Sequence, residues 1–264
     1  MIPDFVTQAL APDRWPTFAL ITARLSGLML AAPLWSMTAL PRASRAAVTV
    51  LFALLLLPLA PQTPLPERVL DLPLPVVMEL LVGIVIGLTA AVIVQGVALG
   101  GEILSLQMGL SLAPVLSPTP DVQVSGIGQI KSYLALLIYL AIGGHLILLR
   151  GLADSLRILP PGAPMDFVSG AHAGTMLVSG LFSTAIRAAA PVMVTLLLAN
   201  AALAIMSRAV PQLNAMMVSL PLTFGIGMLM IGVSLPIVAS AIGGWMQALP
   251  GSVDAVVNSF RPTP

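Results

Sequence analysis

Four ionisable side chains, Arg24, Glu79, Glu102 and Arg187, stand inside otherwise apolar stretches of the sequence. Near the centre of a bilayer such a group costs at least ~2.5 kcal/mol unless it pairs or meets water. One chemistry open to them is a proton or ion path. Internal pairing, or exposure because the segment does not lie in lipid, is the weightier reading, since no second carboxylate or histidine is spaced to relay a proton. Arg24 and Glu79 carry opposite charges and are expected to pair. His145 follows two glycines and is of a type that titrates near neutrality, but a capped or hydrogen-bonded helix histidine is the expectation. His145 and His172 lie far apart and belong to no HExxH pattern, so no metal site is assigned. The absence of cysteine excludes a disulfide framework, a thiolate zinc site, an iron–sulfur cluster and a cysteine nucleophile. There is no GxSxG, P-loop or dinucleotide fingerprint, and Gly100, Gly101 and Glu102 are not followed by the Lys-Ser or Lys-Thr of a phosphate loop. No catalytic residue and no cofactor are expected.

The elements that must hold these groups are apolar throughout. Of 264 residues 58% are hydrophobic and 8% charged, against roughly 25% charged in an ordinary soluble domain. Too few charges remain to clothe a water-exposed surface, and repeated apolar stretches match a bilayer core. The fold class expected is all-α, of the integral-membrane type. A net charge of +1 offers nucleic acid no basic face.

Along the chain, Met1 to Pro16 lacks the basic start of a cleaved signal peptide and is read as retained. Six apolar segments follow. The first is Thr17 to Met37, holding Arg24 and Pro33; the second starts at Ala46 and ends by Ala60, where a run of prolines stops regular helix. Leu74 to Ala113 is about twice the length of one crossing. Paired glycines weaken a helix interior, so a break is expected at Gly100 and Gly101, with a second helical piece from Glu102. Pro114 to Gln129 is turn-forming. Lys131 to Leu149 is the fourth segment, and Arg150 to Thr175 reads as loop because of Pro160, Pro161, Gly162 and Pro164. Met176 to Met206 contains Arg187 and Pro191, and a bend is expected there. Pro211 and Pro221 bracket Gln212 to Leu220, read as a turn or re-entrant hairpin, after which apolar sequence resumes to Leu249.

Gly83 and Gly87, Gly96 and Gly100, and the cluster Gly225, Gly227 and Gly232 offer small faces for close helix packing. Six crossings would gather Arg14, Arg68, Arg150, Arg157 and Arg261 on one side and Arg42, Arg45, Lys131 and Arg208 on the other. That balance assigns no orientation. Fourteen methionines, Met216, Met217, Met228 and Met230 among them, are of the soft type that fills gaps in a helical core.

Several local strings in order resemble the FliR/SctT family of export-gate proteins. They are Gly101-Glu102, Leu106-Gln107-Met108-Gly109-Leu110-Ser111, Gly144-His145-Leu146, Arg208-Ala209-Val210-Pro211-Gln212-Leu213-Asn214 and Leu220-Pro221-Leu222. Arg24, Pro33, Pro41, Arg42 and Arg45 fit the family's first hairpin, and the likeness covers nearly the whole chain. It implies one FliR/SctT-like domain over residues 1–264, with N-terminal helices and a plug segment at about 108–123 in residues 1–130, and C-terminal helical hairpins in 131–264.

The resemblance further implies a structural subunit of the flagellar type III export gate, in the basal body at the bacterial inner membrane. Its implied partners are FliP-like and FliQ-like subunits, an FlhB-like switch protein, membrane lipid and unfolded substrates in transit. The family's pore-closing plug falls on Gln107, Met108, Gly109 and Pro114 and on to about Gln123, where the match is not close. The family's Pro-Gln-x-Asn turn falls on Pro211, Gln212 and Asn214. Thr223 stands where injectisome relatives often carry lysine, which points to the flagellar branch over the injectisome counterpart. The alternative is an independent secondary transporter whose broken helices bind a solute near the midplane.

Overall fold

Two proline-set helix starts open the described chain. Pro16 occupies the first turn of α1 (Trp15–Ala31), where its missing N–H has no partner to lose. Pro41 precedes α2 (Arg42–Leu56), which runs on into a single 3₁₀ turn at Leu57–Leu59. The computed structural model describes residues 14–35, 41–62, 73–109, 126–209 and 215–261. Six further helices complete the described residues: α3 (Pro73–Gln107), α4 (Gly126–Ala141), α5 (Gly144–Ile158), α6 (Phe167–Ala209), α7 (Ala215–Gln247) and α8 (Leu249–Ser259). No strand occurs among the described residues. The chain is therefore all-α, as its composition requires.

Among the described residues four helices are long and apolar enough to cross a membrane: Arg42–Leu59, Pro73–Gln107, Phe167–Arg208 and Pro221–Gln247. The pair α4 and α5 makes up a fifth candidate, broken between Ala141 and Gly144. The first apolar segment forms a helix of only 17 residues. Its Leu20, Ile21, Arg24, Leu25 and Leu28 are all buried inside the protein.

The described residues fall into two units. One is drawn from residues 1–91, 142–179 and 246–264, the other from 92–141 and 180–245. In the first, α1 lies on the N-terminal part of α3 through small residues. A Cβ on Gly27 would run into the Leu80 carbonyl, and one on Gly83 into the Arg24 carbonyl. Backbones can approach this closely only where side chains are absent, which is how apolar helices gain dispersion contacts without a hydrophobic drive between them. In the same unit Leu148, Leu152 and Leu156 of α5 are buried at a helical spacing of four, and Val253, Val256 and Val257, three and four residues apart from Val253 on, are buried on α8, the helix against which α5 packs. In the second unit Leu104 and Met108 of α3 join Ala189, Val192 and Leu196 of α6 in a buried cluster.

Several boundaries differ from the sequence reading. The helix does not break at Gly100 and Gly101 but continues to Gln107. Gly100 serves close approach instead: a Cβ there would stand 2.6 Å from the Ala185 carbonyl oxygen. The glycine break lies later, at Gly143, whose φ of 75° sits in the left-handed region and which precedes the restart at Gly144. The expected loop from Arg150 to Thr175 shrinks to residues 159–166, because α5 reaches Ile158 and α6 begins at Phe167. Pro160, Pro161, Gly162 and Pro164 do interrupt helix, but only after Ile158, and Leu148, Leu152 and Leu156 give α5 a buried stripe up to that point. Pro221 is not a turn residue but lies inside α7, as Pro191 lies inside α6. Each proline removes one backbone bond, and ending the helix in apolar surroundings would strand several. Pro114, Pro211, Gln212, Asn214 and segment 110–123 lie outside the described residues.

Candidate functional site

The most elaborate polar site is built in the first unit around two of the residues singled out in the sequence. Arg24 is presented by the middle of α1 and Glu79 by the early part of α3, and both side chains are fully buried. Arg24 Nε donates to Glu79 Oε2 at 2.5 Å. Arg24 Nη1 donates to Ser155 Oγ at 3.0 Å, and Nη2 donates to the Leu159 carbonyl at 3.0 Å. The Gly162 amide donates to the second carboxylate oxygen, Glu79 Oε1, at 3.0 Å. Ser155 Oγ donates in turn to the Leu152 carbonyl at 2.6 Å.

The planar guanidinium thus spreads its donors over three acceptors, a geometry that an ammonium group would not reproduce. Burial of an unpaired charge is costly, whereas a pair with every remaining polar atom satisfied is tolerated. The expected pairing of Arg24 with Glu79 is present in the structure. The further members, Ser155, Leu159 and Gly162, could not have been found by scanning for ionisable residues, because two of them contribute only backbone groups. Gly162 has a φ of 76°, which aims its amide in a way that other residues rarely adopt.

The same loop is fixed at its far end. Asp166 precedes α6, and its Oδ1 accepts from the amides of Val168 at 3.0 Å and Ser169 at 3.2 Å, while Ser169 Oγ donates to Oδ2 at 2.7 Å. These donors, the Ser169 hydroxyl first, hold the Asp166 carboxyl below its ordinary value. The Asp166 amide donates to the Phe260 carbonyl at 3.0 Å. Between these ties, residues 162–165 and Phe167 wall an apolar cavity of about 690 Å³ together with Leu74, Val77, Met78 and Leu81.

In the second unit the other sequence candidates are not brought into one site. Glu102 is half-buried, and its carboxylate lies against Gly128 of α4. Lys131, also on α4, is buried and donates from Nζ to the Ala188 carbonyl at 3.4 Å. Its burial had no signal in the sequence, where it reads as the charged edge of a segment. Arg187 is exposed on α6, directly before the buried Ala188 and Ala189. Gln107 Oε1 is buried without a partner among the described residues. Met108 is buried, and the helix ends there in Gly109 with a φ of 77°. In the first unit, where His145 was expected to be capped or hydrogen-bonded, its Nδ1 is buried without a partner among the described residues, and His172 is exposed on α6. No group of three or more potential metal-ligating side chains forms among the described residues. The Arg24 network holds α1, α3 and the end of α5 together.

Comparison with known proteins finds likeness to bacterial export proteins. A family model described as "Bacterial export proteins, family 1" matches residues 15–249. The flagellar biosynthetic protein FliR of Escherichia coli (strain K12) is 29% identical over 229 residues, covering 85% of this chain and 84% of that protein. FliR of Bacillus subtilis (strain 168) is 28% identical, covering 86% of this chain and 88% of its own length. FliR of Caulobacter vibrioides is 28% identical over 219 residues, covering 82% and 87%.

Proposed function

Because the chain belongs to family 1 of the bacterial export proteins, we propose that it is a non-enzymatic structural subunit of the flagellar protein-export gate, completing a channel with FliP-like and FliQ-like chains. Its place is in the bacterial inner membrane, within the basal body, with an FlhB-like switch protein as a further neighbour. Unfolded substrates pass through the channel. The segment of about 108–123 closes it, with Gln107, Met108 and Gly109 at its start. The single observation that carries this reading is the family match over 15–249, joined by full-length likeness to flagellar FliR proteins.

The helices fit that role. Along α6, Phe182, Ile186, Val194, Leu197, Leu198 and Ile205 are exposed, and along α7, Leu229, Val233 and Ile237. Apolar surface on this scale is stable only against lipid or other helices. Purification of tagged protein from gently solubilised membranes, with identification of the accompanying chains, tests the reading. FliP-like and FliQ-like chains in excess over this one are the expected result. Recovery of this chain alone, or only as a homo-oligomer, overturns it in favour of an independent transporter.

A further inference from the structure

The end of α3 is held by a fit between one side chain and one missing side chain. Met108 is 1% exposed, beyond the last residue of α3, and its amide still donates to the Leu104 carbonyl at 2.9 Å. Its thioether lies against Gly227 of α7. A Cβ at residue 227 would coincide with Met108 Cε and stand 2.9 Å from Cγ and 3.0 Å from Sδ. Gly225 and Gly232 of the same helix would meet nothing within 4 Å. The glycine cluster of α7 is therefore not a uniform small face: only Gly227 of these three is filled. Leu104, Val192 and Leu196 close the other sides of the seat, with Ile226, Met230 and Ile231 around it. Immediately afterwards Gly109, with its φ of 77°, turns the chain out of helix.

We propose that Met108 is the positioning residue through which α7 holds the end of α3, and with it the start of the channel-closing segment. This inference rests on the proposed plug reading and adds the contact that keeps it seated. Methionine suits the task because an unbranched thioether adapts to a shallow seat and leaves it without rearranging a branched side chain. The seat also sets a size rule: the volume shared by residues 108 and 227 is conserved, whichever of the two supplies it.

The test uses the full chain co-expressed with its FliP-like and FliQ-like partners. Co-purification reads assembly, and ion permeability of proteoliposomes holding the complex reads closure. Met108→Ala is expected to assemble like the unsubstituted chain and to leak. Met108→Leu, close in volume, is expected to stay tight. Gly227→Leu, which fills the seat from the other side, is expected to leak, and combining it with Met108→Ala is expected to reseal the gate. A tight Met108→Ala gate, alongside a leaking variant that lacks residues 110–123, overturns the seat and leaves the plug reading standing. Tightness in both overturns both. Failure of Met108→Ala to assemble overturns the proposal by making Met108 a packing residue, and if Gly227→Leu does not fold, the Met108 pair decides.

Discussion

Arg24 and Glu79 are joined by a hydrogen-bonded ion pair with no solvent exposure on either side chain. The two residues are 55 positions apart, and among the described residues the other donors and acceptors of the pair are answered by Ser155, Leu159 and Gly162, much later in the chain. The network therefore links α1 and α3 to the end of α5 and to the loop that follows it.

Removing one partner leaves a buried charge, which costs about 3–5 kcal/mol, whereas replacing both with apolar side chains of similar volume is often neutral. Arg24→Met and Glu79→Met alone are expected to lower the amount of assembled protein sharply, and the double Met variant is expected to recover most of it. Exchanging the charges is expected to recover less than the double Met variant. An arginine at 79 offers the Gly162 amide no acceptor, and a glutamate at 24 offers the Leu159 carbonyl no donor. Quantifying membrane-inserted, co-purifying protein separates these outcomes, and a charge exchange that outperforms the double Met variant would count against this account.

Gly100 sets helix propensity against packing. An alanine in a helix interior is favoured over glycine by about 1 kcal/mol. At residue 100, however, the added carbon would stand 2.6 Å from the Ala185 carbonyl oxygen, a backbone atom that cannot swing aside. Gly100→Ala is expected to destabilise by about 1–3 kcal/mol, the range for overpacking. Thermal unfolding in detergent reads the sign, and a raised midpoint would show that the close approach is absent.

Gly143 is held at a φ of 75° between α4 and α5. A Cβ there would meet Leu146 Cδ1 at an ordinary 3.8 Å but would have the wrong backbone, at about 1–2 kcal/mol for an L-residue in the left-handed region. Gly143→Ala is expected to lower the unfolding midpoint, and Gly143→Asn to lower it less, since asparagine tolerates this conformation. Equal losses from the two would assign the effect to volume.

Asp166 gives a pH dependence of known sign. Its carboxyl is held below the ordinary value of 3.8, the Ser169 hydroxyl being the largest cause. A depressed carboxyl binds fewer protons folded than unfolded, so its stabilisation is present above the ordinary value and is lost as pH falls through the lowered one. Asp166→Asn is expected to lower stability at neutral pH, where the depressed carboxylate contributes, and to leave it little changed below the lowered value, so that the acid limb flattens. Melting curves across the acid range check this, and an unchanged acid limb would mean that the cap does not contribute.

The amino-acid sequence by itself determined the solvent, the all-helical class, the family and the pairing of Arg24 with Glu79. These follow from composition, from strings read in order, and from the expense of burying an unpaired charge in apolar surroundings. What each glycine and proline does was decided by tertiary structure. Gly100 read as a break and serves a close approach, while Gly143 makes the break; Pro221 read as a turn and lies within α7. Local rules weigh a residue against its chain neighbours, but a missing Cβ has meaning only when another helix lies against it. For the same reason the Arg24 network was half legible. Charged side chains announce themselves in sequence, whereas the Leu159 carbonyl and the Gly162 amide are groups that nearly every residue carries, and only the fold selects which of them meet the charge.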